Sequence, residues 1–247
     1  MSLLEAGLVI AAGLAAGTIN TVVGSGSLIT FPTLLWVGLP PVVANVSNTV
    51  GLVPGAVSGA WGYRRELVGQ RPRLLRLGTC TLGGSVLGAT LLLVLPPGVF
   101  AAVVPALILL GCVLVVIQPW LVRRLAEKPR HEYGGPVLWI LVFATGMYGG
   151  YFGAAQGVLL IAVLALGLDE TLQRVNAAKN VLAGLANLVA GVIFVVVADV
   201  NWTAAGLVAV GAAAGGIVGA RVARRLPPVG LRAVVVAIGL IAVVTLL

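Results

Sequence analysis

The chain states one pattern twice. Gly24-Ser25-Gly26-Ser27-Leu28 opens a short apolar run to Gly38-Leu39, and an asparagine-bearing segment follows. Gly153-Ala154-Ala155-Gln156-Gly157 opens a second such run to Gly167-Leu168, and another asparagine-bearing segment follows. Gly83-Gly84, Gly88-Ala89 and Leu95-Pro96-Pro97 return as Gly215-Gly216, Gly219-Ala220 and Leu226-Pro227-Pro228, about 130 residues later. Each glycine-led apolar run is about 11 residues long, which as a helix rises only about 16 Å. That is half of a hydrocarbon core about 30 Å thick. Two matching halves, each with one interrupted short segment, have the layout of a membrane transporter whose binding site lies at the breaks.

Composition places the chain in the bilayer. Hydrophobic residues make up 60% and charged residues 9%, with a mean hydropathy of +1.14. The apolar pattern predicts ten segments, at 3–23, 28–38, 42–61, 74–95 and 99–119, then 136–152, 158–168, 175–198, 203–221 and 229–247. The expected architecture is an all-α integral membrane protein of two repeats, 1–119 and 136–247, joined by a basic cytoplasmic linker at 120–135. The opening Met-Ser-Leu-Leu-Glu5 lacks a basic leader region and reads as the start of a span.

The net charge of +8 sits almost entirely in loops. Thirteen of the fifteen Lys and Arg residues lie in Arg64–Arg76, Arg123–Arg130 and Arg221–Arg232. This is the positive-inside signature rather than a nucleic-acid surface. It places both the loop after the third segment and the linker inside. The uncharged Leu95-Pro96-Pro97 turn then faces outside, whereas its counterpart beside Arg224-Arg225 faces inside. The halves are therefore expected to be inverted repeats, with both termini on the outer face. Each short segment reads as either a re-entrant half-helix or part of a broken span. In both cases the glycine stretches must face the protein interior, each other included, because bare backbone is not tolerated against lipid.

The candidate binding residues follow from the breaks. Gly24, Ser25, Gly26 and Ser27 free backbone N–H groups at the start of a half-helix, which suits an anion. Gly153 and Gln156 occupy the matching place. Asn176, Asn180 and Asn187 fall on one helical face, with Lys179 beside it. A lysine at mid-span costs roughly 2.5–3.5 kcal/mol on insertion scales. A face of amides and one ammonium reads as the wall of a polar cavity. Asn45 and Asn48 are the first-half counterparts. Arg174, near Asp169 and Glu170, reads as an interfacial or ion-paired residue. Gly84, Gly88, Gly211, Gly215 and Gly219 read as helix-packing positions, inside one chain or between two in a homodimer.

Cys80 and Cys112 sit singly in apolar spans, and His131, the one histidine, lies in the basic linker. No metal or cofactor is expected from this set, and no catalytic motif or phosphate-binding Walker loop appears. The residues imply a secondary transporter of a small anion, with the lipid bilayer as its other partner. An anion channel, a permease for another small organic anion, an intramembrane enzyme and a structural subunit are the competing readings.

The run Gly17-Thr-Ile-Asn20-Thr-Val-Val-Gly24-Ser-Gly-Ser-Leu-Ile-Thr-Phe31-Pro32, with Gly38-Leu39-Pro40 and Ala44-Asn45-Val-Ser-Asn48-Thr49, resembles the sulfite exporter TauE/SafE family. So do Tyr148-Gly-Gly-Tyr-Phe152-Gly-Ala-Ala-Gln-Gly157 and Asn176-Ala-Ala-Lys179-Asn180. The resemblance covers nearly the whole chain. It implies a permease of the bacterial or archaeal cytoplasmic membrane that moves small sulfur-containing anions such as sulfite or organosulfonates. Ala154-Ala155 replaces a glycine-richer stretch common in that family, which shifts weight onto Gln156.

Overall fold

The computed structural model describes residues 1–125, 135–222 and 228–246. It is built of ten helices among those residues. They are α1 (Leu3–Val22), α2 (Ser27–Trp36), α3 (Pro41–Gly62), α4 (Arg71–Val94), α5 (Pro97–Leu125), α6 (Pro136–Tyr151), α7 (Gln156–Gly167), α8 (Leu172–Val197), α9 (Trp202–Val222) and α10 (Pro228–Leu246). Most of the expected linker, with His131, and the turn holding Arg224 and Arg225 lie outside the described residues. Local signals set the ends. Ser2 and Glu5 form a reciprocal capping box at α1, and Thr171 caps α8 through its hydroxyl. Pro41 and Pro136 stand at helix starts, where a missing N–H costs nothing.

Five helices, α1, α4, α5, α8 and α9, are long and apolar enough to cross a membrane. The chain is thus a multi-pass membrane protein. Helices α2 and α7, with 10 and 12 residues, are the short elements expected at the breaks.

The tightest packing crosses between the halves. Helix α1 lies on α9 and α4 lies on α6. In both pairs glycines bring backbone against backbone. A Cβ on Gly13 would fall 2.8 Å from the Val208 carbonyl, and one on Gly146 would fall 2.8 Å from the Thr81 carbonyl. Gly17, Gly211 and Gly215 in the first pair, and Gly84, Gly88 and Gly150 in the second, leave no room for a side chain. The small-residue patterns are therefore internal packing faces. Hydroxyls join the same contacts: Thr18 Oγ1 donates to the Gly215 carbonyl (3.1 Å) and Ser85 Oγ to the Gly146 carbonyl (3.3 Å).

The contact pattern repeats when α1–α5 are exchanged for α6–α10. The pair α1·α9 maps onto α6·α4, α3·α9 onto α8·α4, α1·α2 onto α6·α7 and α10·α2 onto α5·α7. The pairs α3·α8 and α5·α10 map onto themselves.

One ionic cluster ties the α7–α8 connection to the start of α4 and the segment before it. Glu170 accepts from Arg73 Nη1 at 3.0 Å and from Arg174 Nε at 2.6 Å. Arg174 also donates to the Val68 carbonyl, and Gln70 Nε2 donates to the Arg174 carbonyl. Burial pushes the Glu170 carboxyl up, but the hydrogen bonds and charges of Arg174 and Arg73 outweigh it and hold the group below its usual 4.5. The stability it adds is fully present above that value and is lost as the pH falls below it, through the lower folded value. Glu170→Gln is expected to cost about 2 kcal/mol at neutral pH. In thermal unfolding, the gap between wild type and variant seen at pH 7 should narrow at a pH below 4.5. An equal gap at both pH values would contradict the role of the carboxylate charge.

Candidate functional site

The site is built where the two interrupted segments cross. Helix α1 ends at Val22, and its C-cap N–H returns to the Ile19 carbonyl. The chain then turns through Gly24, whose φ of +92° lies in the left-handed region. Gly26 sits beside the last turns of α1, where a Cβ would fall 2.5 Å from the Ala16 carbonyl. Helix α2 therefore starts alongside α1 rather than beyond its end. The second break has the same construction. The N–H groups of Phe152 and Gly153 both return to the Tyr148 carbonyl. Gly153 has φ +75°, and Ala155, at φ +59°, is the one non-glycine residue in the left-handed region among those described.

These two turns touch. The Gly157 N–H donates to the Gly24 carbonyl at 3.0 Å. A Cβ on either glycine would lie 2.5 Å from the other's Cα, so only glycine at both positions permits the crossing.

Lys179 stands beside it, fully buried. Its Nζ donates to the carbonyls of Asn20 (2.7 Å) and Thr21 (3.2 Å) and to Asn180 Oδ1 (2.9 Å). Asn176 and Asn180 each donate a side-chain N–H to the Thr21 carbonyl as well. The predicted polar face of α8 thus closes over the C-terminal end of α1, where the helix dipole is negative. All three ammonium donors are used, yet no carboxylate pairs with Lys179 among the described residues. Among the described residues, the groups that face its nitrogen are the dipoles of two carbonyls and one amide.

The first half makes the matching contact with a different outcome. Asn45 Nδ2 donates to the Tyr151 carbonyl at the end of α6 (2.9 Å). Asn48, 131 positions before Lys179, turns instead to α2. It donates to Ser27 Oγ (3.3 Å) and accepts from Thr30 Oγ1 (2.5 Å). Asn187 is buried but lies seven residues beyond Asn180, about 10 Å further along α8, and is not brought to the crossing.

Among the described residues, four buried polar atoms around the crossing have no hydrogen-bond partner: Ser25 Oγ, Gln156 Nε2, Asn45 Oδ1 and Asn176 Oδ1. Gln156 packs against Gly149, and a Cβ there would overlap its amide. The backbone N–H groups of Ser25, Gly26 and Ser27 also find no acceptor among the described residues. Buried polar groups are ordinarily satisfied, and each exception calls for a reason. Residues that the sequence did not single out complete the shell. Tyr148 OH donates to the Ala154 carbonyl (2.5 Å), and Phe31, Phe100, Tyr151 and Phe152 stack edge-on over the end of α6.

Two clefts flank α3 and α8 at opposite ends. One, of about 460 Å³, has Trp61, Arg64 and Asn180 in its lining. The other, of about 540 Å³, has Asp199 in its lining together with Val42 and Val46, which are near Asn45 on α3.

No solved structure matches the chain. Curated relatives do. It is 26% identical over 207 residues to the "Probable membrane transporter protein YfcA" of Escherichia coli, covering 83% of this chain and 76% of that one. A "Probable membrane transporter protein" of Haemophilus influenzae is 25% identical over 211 residues, covering 85% and 81%. A family model described as Sulfite exporter TauE/SafE matches residues 9–246. With nearly its full length matched and its interrupted helices crossing at the predicted glycines, the chain belongs to the sulfite exporter TauE/SafE family of membrane transporters.

Proposed function

We propose that the chain is a secondary transporter that exports or exchanges a small sulfur-containing oxyanion, such as sulfite or an organosulfonate, across a bacterial or archaeal cytoplasmic membrane. The observation that carries this reading is the fully buried Lys179, which has no carboxylate partner among the described residues, at a crossing where the N–H donors of Ser25, Gly26 and Ser27 find no acceptor among them either. A buried cation without a counter-ion raises the affinity for an anion. Ser25 Oγ and Gln156 Nε2 add unpaired directed donors. Gly24, Gly153, Asn45, Asn48, Asn176 and Asn180 shape the wall, and Asn187 extends it along α8.

The sulfur-oxyanion class rests on the family description and on this set of donors, which suits a tetrahedral or pyramidal anion. Repeat 1–119 and repeat 136–247 are read as inverted copies, with linker 120–135 inside and both termini outside. The exchange of contacts between halves and the arginine-bearing loops support that reading. Rocking of one repeat against the other, opening the two clefts in turn, gives alternating access.

The test is a thermal-shift panel on purified protein with sulfite, sulfate, thiosulfate, sulfoacetate and carboxylate analogues. Sulfur oxyanions are expected to raise Tm saturably and carboxylates of equal charge to do less. A flat response across the panel would remove the anion reading. Counterflow in proteoliposomes separates a transporter from an anion channel, which would show no saturable exchange.

A further inference from the structure

The two helix ends at the crossing are built alike but finished differently. At the end of α1, Asn176 donates to a last-turn carbonyl and the Lys179 ammonium adds a positive charge. At the end of α6, Asn45 donates to a last-turn carbonyl, and no protein cation follows among the described residues. The residue in the lysine's place is Asn48, and it is engaged with Ser27 and Thr30 of α2. The α6 end therefore keeps the negative pole of its dipole uncompensated. Asn45, 1% exposed, adds an unpartnered carbonyl oxygen beside it. At a buried helix terminus these groups call for a positive partner.

We propose that the C-terminal end of α6, with Asn45 Oδ1, binds a monovalent alkali cation in the position that Lys179 fills at the end of α1. The available ligands are neutral oxygens, with no carboxylate. Such a set suits a singly charged ion rather than Ca²⁺ or Mg²⁺, which are held by carboxylates. Unwound helix ends with free carbonyls are used in this way in transporters with interrupted helices. The approach is charged to match. The cleft lined by Val42 and Val46, near Asn45, includes Asp199, whereas the cleft lined by Asn180, beside Lys179, includes Arg64. Cation and anion thus approach one crossing from opposite ends of the molecule. The inference supplies a coupling ion for the transport reading and rests on it for that purpose, while the binding event stands by itself.

The experiment is a titration of purified protein with NaCl, KCl or LiCl against choline chloride at constant ionic strength, without oxyanion, read as Tm. At least one alkali cation is expected to raise Tm saturably, by about 5 °C well above its Kd. Asn48→Lys, which restores the tethered ammonium of the other half, is expected to abolish the response. Asn45→Ala is expected to raise the half-maximal concentration about tenfold or more. No response to any of the three ions in wild type overturns the proposal, as does an undiminished response in Asn48→Lys. A cation response with no response to oxyanions would leave this site standing and remove the anion reading. The reverse result would remove only this site.

Discussion

Gly24→Ala is expected to cost about 4 kcal/mol and to lower Tm by roughly 8–16 °C. Two effects add. A left-handed φ penalises any Cβ by about 1–2 kcal/mol. Forcing atoms into a packed contact costs typically 1–3 kcal/mol more, and a kilocalorie moves Tm by about 2–4 °C at this chain length. The obstruction here is backbone, since the new Cβ would meet Gly157 Cα and C at 2.5 Å, so no rotamer change relieves it. Gly38→Ala is the internal control. Gly38 has nearly the same φ, +89°, but nothing within 4 Å of an added Cβ. It should lose only the conformational part, about 1 kcal/mol. Thermal unfolding of the two variants beside wild type isolates the cost of separating the crossed turns. Equal losses would mean that the contact between Gly24 and Gly157 contributes nothing.

The second large effect is on binding. Lys179→Met is expected to weaken oxyanion affinity by roughly 100-fold while leaving the fold in place. A unit charge about 6 Å from an anion, at an effective dielectric of about 20, contributes about 2.8 kcal/mol, which corresponds to that factor. Stability should change far less. The substitution strips a donor from the Asn20 carbonyl, but it also removes a charge that folding had to desolvate, and these oppose each other. Calorimetric titration of variant and wild type, with Tm measured on the same samples, checks both halves of the expectation. Unchanged affinity in a folded variant would remove Lys179 from the binding role and leave it as a cap on α1.

Helix positions were legible in the sequence because hydropathy reports them directly. The run at 28–38 is α2, Ser27–Trp36, and the run at 158–168 is α7, Gln156–Gly167. The far end of α5 was less so. It continues to Leu125, past the expected limit at 119, because an apolar run ends at the membrane surface while a helix of Leu and Arg can continue beyond it.

The candidate site was legible as a set of side chains and not as a set of contacts. The polar stripe of α8 stood out, and three of its members do converge on the Thr21 carbonyl. What they converge on was hidden. A backbone carbonyl has the same identity at every position, and Asn20 is 159 residues from Lys179. Asn187 shares the stripe by angle but not by height, a distinction that helical periodicity alone does not make. Ala155 carries no mark of its left-handed backbone, since that conformation is imposed by the turn around it. The contrast between Asn48 and Lys179 was not read from the sequence, where both stood out only as polar residues within apolar spans. Its meaning depended on seeing one side chain cap a helix and the other turn away.

The cross-half pairing of α1 with α9 has a consequence for how the protein is made. Gly13 and Gly17 find their partners in Val208 and Ala212, about 195 residues later in the chain. During synthesis the first helix leaves the ribosome and enters the bilayer long before the surface that it fits exists. Its glycine face, and the amides of α3, must wait in lipid or be shielded by the insertion machinery. Maturation is therefore governed by the last third of the polypeptide. A ribosome stalled before α9 would leave inserted helices that cannot assemble, and such truncated chains would be natural targets for membrane quality control.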